Sequence, residues 1–66
     1  MDMIRVSSSA ISAIGYDPAT LRMKIQFVQG DTYDFCGVPA YIFQGLFIAN
    51  SKGRYYNEHI RDRYQC

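Results

Sequence analysis

Apolar and polar residues alternate from Leu21 to Phe35. Leu21, Met23, Ile25 and Phe27 are set against Arg22, Lys24, Gln26 and Val28; beyond Gly30, Tyr33 and Phe35 are set against Thr32, Asp34 and Cys36. Period two marks strands with one buried face, and two such runs about a glycine predict a β-hairpin. Residues paired across an antiparallel ladder share a face, so odd positions must meet odd ones. The loop Val28-Gln29-Gly30 keeps that parity and puts glycine last, where this loop type turns left-handed. The predicted register is Ile25 with Tyr33, Met23 with Phe35, and Lys24 with Asp34, the last an exposed ion pair. The loop Gln29-Gly30-Asp31 keeps parity too but misplaces the glycine.

A first strand is predicted over Ser9–Tyr16, with Ile14 and Tyr16 on one face. Asp17-Pro18-Ala19-Thr20 signals a turn; as a four-residue loop it pairs Tyr16 with Leu21 and Ile14 with Met23. Ile11 then faces away from the core, which calls for either a kink near Ala13 or a partner on the outer face. The serines Ser7-Ser8-Ser9 read as a lead-in whose hydroxyls bind nearby backbone. Residues 1–6 are expected to fray.

Gly37-Val38-Pro39 ends the sheet and opens a helix reaching about Ala49, with proline in its first turn. Ile42, Phe43, Leu46, Phe47 and Ala49 form a wide apolar face, expected to cover Met23, Ile25, Tyr33 and Phe35. Tyr41 and Ile48 point the opposite way, so this helix should be covered on two sides, by the next helix or by a second subunit. Ser51 caps a last helix over Lys52–Arg63, with Tyr56, Ile60 and Tyr64 inward and Arg54, Glu58 and Arg61 outward. The fold expected is α+β: a three-stranded antiparallel meander followed by two helices packed on one face, in one domain over residues 1–66.

Length sharpens this picture. A chain of 66 residues buries only about 60% of its unfolded surface and is marginal without staples. An aromatic content of 15% compensates, since each ring buries about 150–250 Å². A net charge of +1 gives no global pull toward nucleic acid or membrane. No run approaches the roughly 18 apolar residues of a membrane span, and Asp2 and Arg5 interrupt any signal peptide. Cys36 and Cys66 are expected to be free thiols of a cytoplasmic protein.

Candidate chemistry concentrates in Ser51-Lys52-Gly53-Arg54-Tyr55-Tyr56-Asn57. A helix start offers free N–H groups and positive charge; with Ser51, Gly53, Lys52 and Arg54 there, it makes an anion or phosphate site. Tyr55 offers a ring for base stacking, and Arg61 and Arg63 extend the strip. The alternative is a helix–helix corner with a tightly packed glycine and solvated charges. The outer sheet face lacks free aromatics for a stacking platform, because Tyr33 and Phe35 are assigned to the core. His59, with Cys36 and Cys66, falls short of a four-ligand zinc site, and a Cys36–His59 pair has no third group to orient it. No metal, cofactor or catalytic set is expected.

Ser8-Ser9 with Ile11, Gly15-Tyr16-Asp17, Leu21 with Phe27 and Gly30, Tyr33-Asp34-Phe35, Val38-Pro39, Ser51 to Asn57 and Ile60-Arg61 together resemble the KTSC domain. That domain takes its name from the C-terminus of some lysyl-tRNA synthetases and also stands alone in small bacterial or phage proteins. The resemblance spans nearly the whole chain. Where the family has Tyr-x-Tyr, this chain has Tyr33-Asp34-Phe35. The resemblance implies RNA as a partner by association. Two functions follow as expectations. One is a non-enzymatic domain binding RNA or single strands through Ser51, Lys52, Gly53, Arg54, Tyr55, Arg61 and Arg63, with four phosphate contacts giving a log K against log salt slope of roughly −3. The other is a protein-interaction module, pairing with itself or a partner through Tyr41 and Ile48.

Overall fold

The alternating run forms the hairpin at the heart of a four-stranded antiparallel sheet in the computed structural model, which describes residues 1–66. The elements are β1 (Met3–Arg5), β2 (Ile11–Asp17), β3 (Arg22–Phe27), β4 (Thr32–Phe35), α1 (Ala40–Ile48) and α2 (Lys52–His59), with strands in the order β1-β2-β3-β4. The β3–β4 register is the predicted one: Met23 opposite Phe35, Lys24 opposite Asp34, Ile25 opposite Tyr33. Gly30 takes φ +116°, and the Phe27 N–H donates to the Asp31 carbonyl at 2.8 Å to close the loop. Lys24 Nζ lies 3.7 Å from Asp34 Oδ1 with both side chains exposed, so the pair tunes register more than stability.

Four strands replace the three expected. Residues 3–5 do not fray: Met3, Ile4 and Arg5 pair with Gly15, Ile14 and Ala13. All three are exposed, so this strand is held by its backbone ladder and leaves no apolar period in the sequence. The β2–β3 hairpin slips by two residues from the expected pairing, with Asp17 opposite Arg22, Tyr16 opposite Met23 and Ile14 opposite Ile25. The loop is therefore Pro18–Leu21. Asp17 Oδ1 accepts from the Ala19 N–H at 3.0 Å, and Leu21 turns the chain at φ +59°, which leaves it 42% exposed instead of in the core. Parity is unchanged by a slip of this size, so the same residues still face inward. Ile11 is fully buried because a bulge between Ile11 and Ala13 shifts the register there and flips the side chain inward.

Ile42 and Leu46 of α1, Val38 before it and Ile60 after α2 close over Ile11, Ile14, Met23, Ile25 and Phe35. The start of α1 is pinned from two sides: the Val38 carbonyl accepts from the Tyr16 hydroxyl at 2.6 Å, and the Val38 N–H donates to the Leu21 carbonyl at 2.8 Å. Tyr16 also stacks on Phe43, ring centroids 4.9 Å apart. The second side of α1 is not covered by α2: Tyr41 is 68% and Ile48 76% exposed. α2 crosses lower down, laying Tyr55 over Gly45, where an added Cβ would come within 2.6 Å of the ring.

The last helix stops at His59, one turn short of Arg63. The N–H groups of Ile60 and Arg61 both donate to the Tyr56 carbonyl, and Asp62 reverses the chain at φ +62°. Ile60 still faces inward, fully buried, and Tyr56 and Tyr64 pack on the core. The final turn brings Cys66 to Cys36, and the two form a disulfide rather than free thiols. The Cys36 N–H donates to the Tyr64 carbonyl at 2.9 Å beside it. No helix is long and apolar enough to cross a membrane.

Candidate functional site

α2 distributes its residues over three faces, and that division decides which predicted site residues stay together. Gly53, Tyr56 and Asn57 fall on the side of the β3–β4 hairpin, and Arg61, in the turn just after the helix, joins them there. Lys52, Tyr55 and His59 fall on the side of α1. Arg54 and Glu58 face solvent.

The N-terminus of α2 is capped as the sequence predicts: Ser51 Oγ accepts from the Arg54 N–H at 3.3 Å. The cations beside it are engaged within the protein. Lys52 Nζ donates to the Ala49 carbonyl at 2.9 Å, satisfying the end of α1. Arg54 Nε lies 3.2 Å from Glu58 Oε2, one helical turn away. Tyr55 lies over Gly45 with its ring 4.5 Å from that of His59; burial, with the nearby Tyr64 and Tyr41, raises its phenol pKa above the ordinary value. Arg61 pairs loosely with Asp62 at 3.9 Å, and Arg63 is exposed with no carboxylate partner. Lys52 and Tyr55 thus belong to a helix–helix corner and Arg54 to the solvent face, while Gly53 and Arg61 line a different place.

That place is an open cleft of about 380 Å³ between the hairpin and α2, lined by Phe27, Gln29, Tyr33, Gly53, Tyr56, Asn57 and Arg61 together with Ala10. Gly53 sits so close to Ala10 that a Cβ would reach 3.0 Å from its methyl, which lets α2 approach the β1–β2 connection. Three rings form the floor. Phe27 meets Tyr33 edge-on at 5.5 Å and Tyr56 edge-on at 5.0 Å. Burial raises the Tyr56 phenol pKa and the Arg61 guanidinium partly offsets this, so Tyr56 keeps a neutral hydroxyl beside a fixed positive charge. Tyr33, assigned by the alternation to the core, is 48% exposed. It lies on the edge strand, beyond the reach of α1, and presents a ring to solvent.

The cleft brings together three aromatic rings, the Asn57 amide, the Gln29 amide, whose NH2 also donates to Asp31 at 3.4 Å, and the Arg61 guanidinium. The sequence did not single out Tyr33, Tyr56, Gln29 and Asn57, which line this cleft. Asn57 and Tyr56 belong to the stretch that attracted notice, but for their neighbours. The Cys36–His59 pair has no thiol to act with, because Cys36 is in the disulfide.

Residues 7–64 match the KTSC domain. The chain belongs to the KTSC domain family. A small protein of Tsukamurella paurometabola is 42% identical over 61 residues, covering 92% of this chain and 91% of that one. The crystal structure of a KTSC domain protein from Yersinia pestis matches with a TM-score of 0.94 at 40% identity, covering 98% of this chain and 92% of that one. A lysine–tRNA ligase of a Nostoc species is 29% identical over 63 residues, which are 96% of this chain and 11% of that protein. In this KTSC domain Phe35 is 7% exposed and meets Tyr56 edge-on at 6.0 Å, so at that position packing is served without the family's second tyrosine hydroxyl.

Proposed function

We propose that this KTSC domain is a non-enzymatic binder of single-stranded nucleic acid, RNA foremost, and that a base enters the cleft between the hairpin and α2. The observation that carries this reading is the half-exposed Tyr33 ring set beside Tyr56, Gln29, Asn57 and Arg61. Unpaired bases are taken up by stacking on aromatic rings and by hydrogen bonds to their edges, and the cleft supplies both. The occurrence of a similar segment in proteins named lysine–tRNA ligase supports RNA over DNA. Arg61 and Arg63 are the cations available for phosphate. The exposed Arg61–Asp62 pair is worth under about 1 kcal/mol and yields readily to a phosphate. Two contacts on a single strand predict a log K against log salt slope of roughly −1.4, shallower than the value expected from all four cations.

A second reading rests on α1. Its face bears Tyr41 and Ile48 in the open, and no charged residue occurs between Asp34 and Lys52, so two copies can meet there without like-charge repulsion. One experiment separates the readings: titration of a fluorescent single-stranded RNA with the native protein and three variants at two salt concentrations. Tyr33→Ala should weaken binding about tenfold or more, since a stacked base is worth about 1–3 kcal/mol. Arg61→Ala should flatten the salt slope by about 0.7. Ile48→Asp should change neither. Native-like binding by Tyr33→Ala would refute the cleft; loss of binding with Ile48→Asp alone would move the site to α1.

A further inference from the structure

The two edges of the sheet are finished differently. In an antiparallel pair, directly opposite residues alternate between those that exchange both backbone hydrogen bonds and those that exchange none. The Phe27 N–H donates to the Asp31 carbonyl at 2.8 Å, so in that register Thr32 and Asp34, and Cys36 beyond them, turn their backbone groups away from β3. The Tyr64 carbonyl takes the Cys36 N–H at 2.9 Å, and the C-terminal turn thereby closes the end of this edge. At the other edge the Val6 N–H donates to the Ser12 carbonyl at 3.1 Å. By the same alternation Ile4 bonds to Ile14, while Met3 and Arg5 turn their N–H and carbonyl groups outward. No other element of the chain takes those groups up.

The open edge also carries apolar surface. Ile4 lies opposite the buried Ile14, which puts its side chain on the core face, yet α1 covers only part of it and it is 44% exposed. It borders an opening of about 450 Å³ with Tyr16, Pro18 and Phe43. Phe47, stacked on Phe43 at 6.3 Å, is exposed as well. Edge strands are ordinarily guarded by lysine, proline or a bulge. β1 has none of these, and its one charge, Arg5, lies on the face opposite to Ile4.

We propose that β1 pairs antiparallel with β1 of a second copy of this chain, joining the two sheets into one of eight strands. The occupant follows from the strand's complementarity to itself about Ile4. With Ile4 opposite the partner's Ile4, Met3 meets the partner's Arg5, and Arg5 meets the partner's Met3. These are the residues whose backbone groups face outward, so each pair exchanges two hydrogen bonds, four in all. The central isoleucine pair falls at a non-hydrogen-bonded position, where facing side chains come closest, and the two apolar troughs run together on the core face. No like charges lie opposite one another: Asp2 meets the partner's Val6, and a net charge of +1 per chain opposes pairing little. A two-fold contact of this kind closes on itself, so it uses both β1 edges and stops at two copies. The cleft beside Tyr33 and Tyr56 lies on the β3–β4 side of the sheet and stays open in each copy, and the pairing does not depend on what that cleft binds.

The test is sedimentation equilibrium of the native chain from micromolar to millimolar concentration, beside Arg5→Pro and Ile48→Asp, with circular dichroism to check folding. The native chain should reach twice the 7.6 kDa of one copy. Proline is tolerated on an edge strand where the missing N–H would have faced solvent. Arg5→Pro therefore keeps the bonds of Ile4 and Val6 to β2, while it removes two of the four bonds between copies and sets a ring against the partner's backbone. It should stay at the mass of one copy with a native spectrum. Ile48→Asp, on the exposed face of α1, should pair like the native chain. If Arg5→Pro unfolds, Ile4→Lys takes its place, since it sets two like charges directly opposite each other. A native chain that stays single throughout overturns the pairing and leaves the edge to a strand of another protein. A dimer that survives the folded β1 variant, or one abolished by Ile48→Asp alone, overturns it in favour of another face.

Discussion

Replacing Leu46 by alanine should lower the unfolding free energy by about 3–5 kcal/mol, enough to unfold a large part of the protein. Leu46 is fully buried and, with Ile42, is one of the two buried residues by which α1 grips the sheet. Truncation removes the transfer energy of its methyl groups and leaves a hole between strands and helix that a rigid sheet cannot close. A domain of this size has roughly 3–10 kcal/mol in total. Each kcal/mol is worth about 4–8 °C, so the melting temperature should fall by about 12 °C or more. The control lies one half-turn away. Ile48→Ala on the same helix, at 76% exposure, should stay within about 0.5 kcal/mol. Urea unfolding followed by circular dichroism reads both; similar shifts for the two would mean that α1 is not seated as described.

Loss of the Cys36–Cys66 disulfide should be comparable in size. The bond joins residues 30 apart in sequence and encloses both helices. In the chain-entropy account, closing a loop of that length constrains the unfolded state by about 3–4 kcal/mol. The two perturbations differ in kind. Leu46→Ala acts on the folded state, so the urea midpoint should fall while the slope m stays constant. Reduction by a dithiol, or Cys36→Ser with Cys66→Ser, also releases the unfolded chain to expand, so m should rise as the midpoint falls. A reduced protein with unchanged midpoint and slope would show that the C-terminal turn is held by Ile60 and the Tyr64 carbonyl alone.

How much of this was legible in the sequence follows from the range of the forces involved. The β3–β4 hairpin was, because alternation, glycine position and the Lys24–Asp34 pair all point to one register. The Ser51 cap and the inward Ile60 were legible for the same reason: they are local patterns. Parity could not detect the slip at Asp17, since moving both partners by one leaves every face unchanged. β1 escaped notice because its three exposed residues show no apolar period; only its backbone pairing with β2 defines it. The disulfide brings together residues from two ends of a loop, and no spacing rule announces that. Of the residues singled out in the sequence, Gly53 and Arg61 line the cleft. Lys52 and Tyr55 were found for their chemistry, yet helical geometry turns them toward α1, where the Ala49 carbonyl and Gly45 occupy them. Tyr33 was assigned to the interior from its alternation, which says which face of a strand a side chain takes but not where the covering helix ends.

The claim on which the functional account stands is that the Tyr33–Tyr56 groove receives single-stranded nucleic acid. Its most direct test is a backbone amide NMR titration of the labelled protein with an unlabelled cytidine octamer. The account predicts shifts concentrated at Phe27, Gln29, Tyr33, Asn57 and Arg61, with Tyr41 and Ile48 unmoved. Shifts confined to α1, or none at saturating RNA, would contradict it.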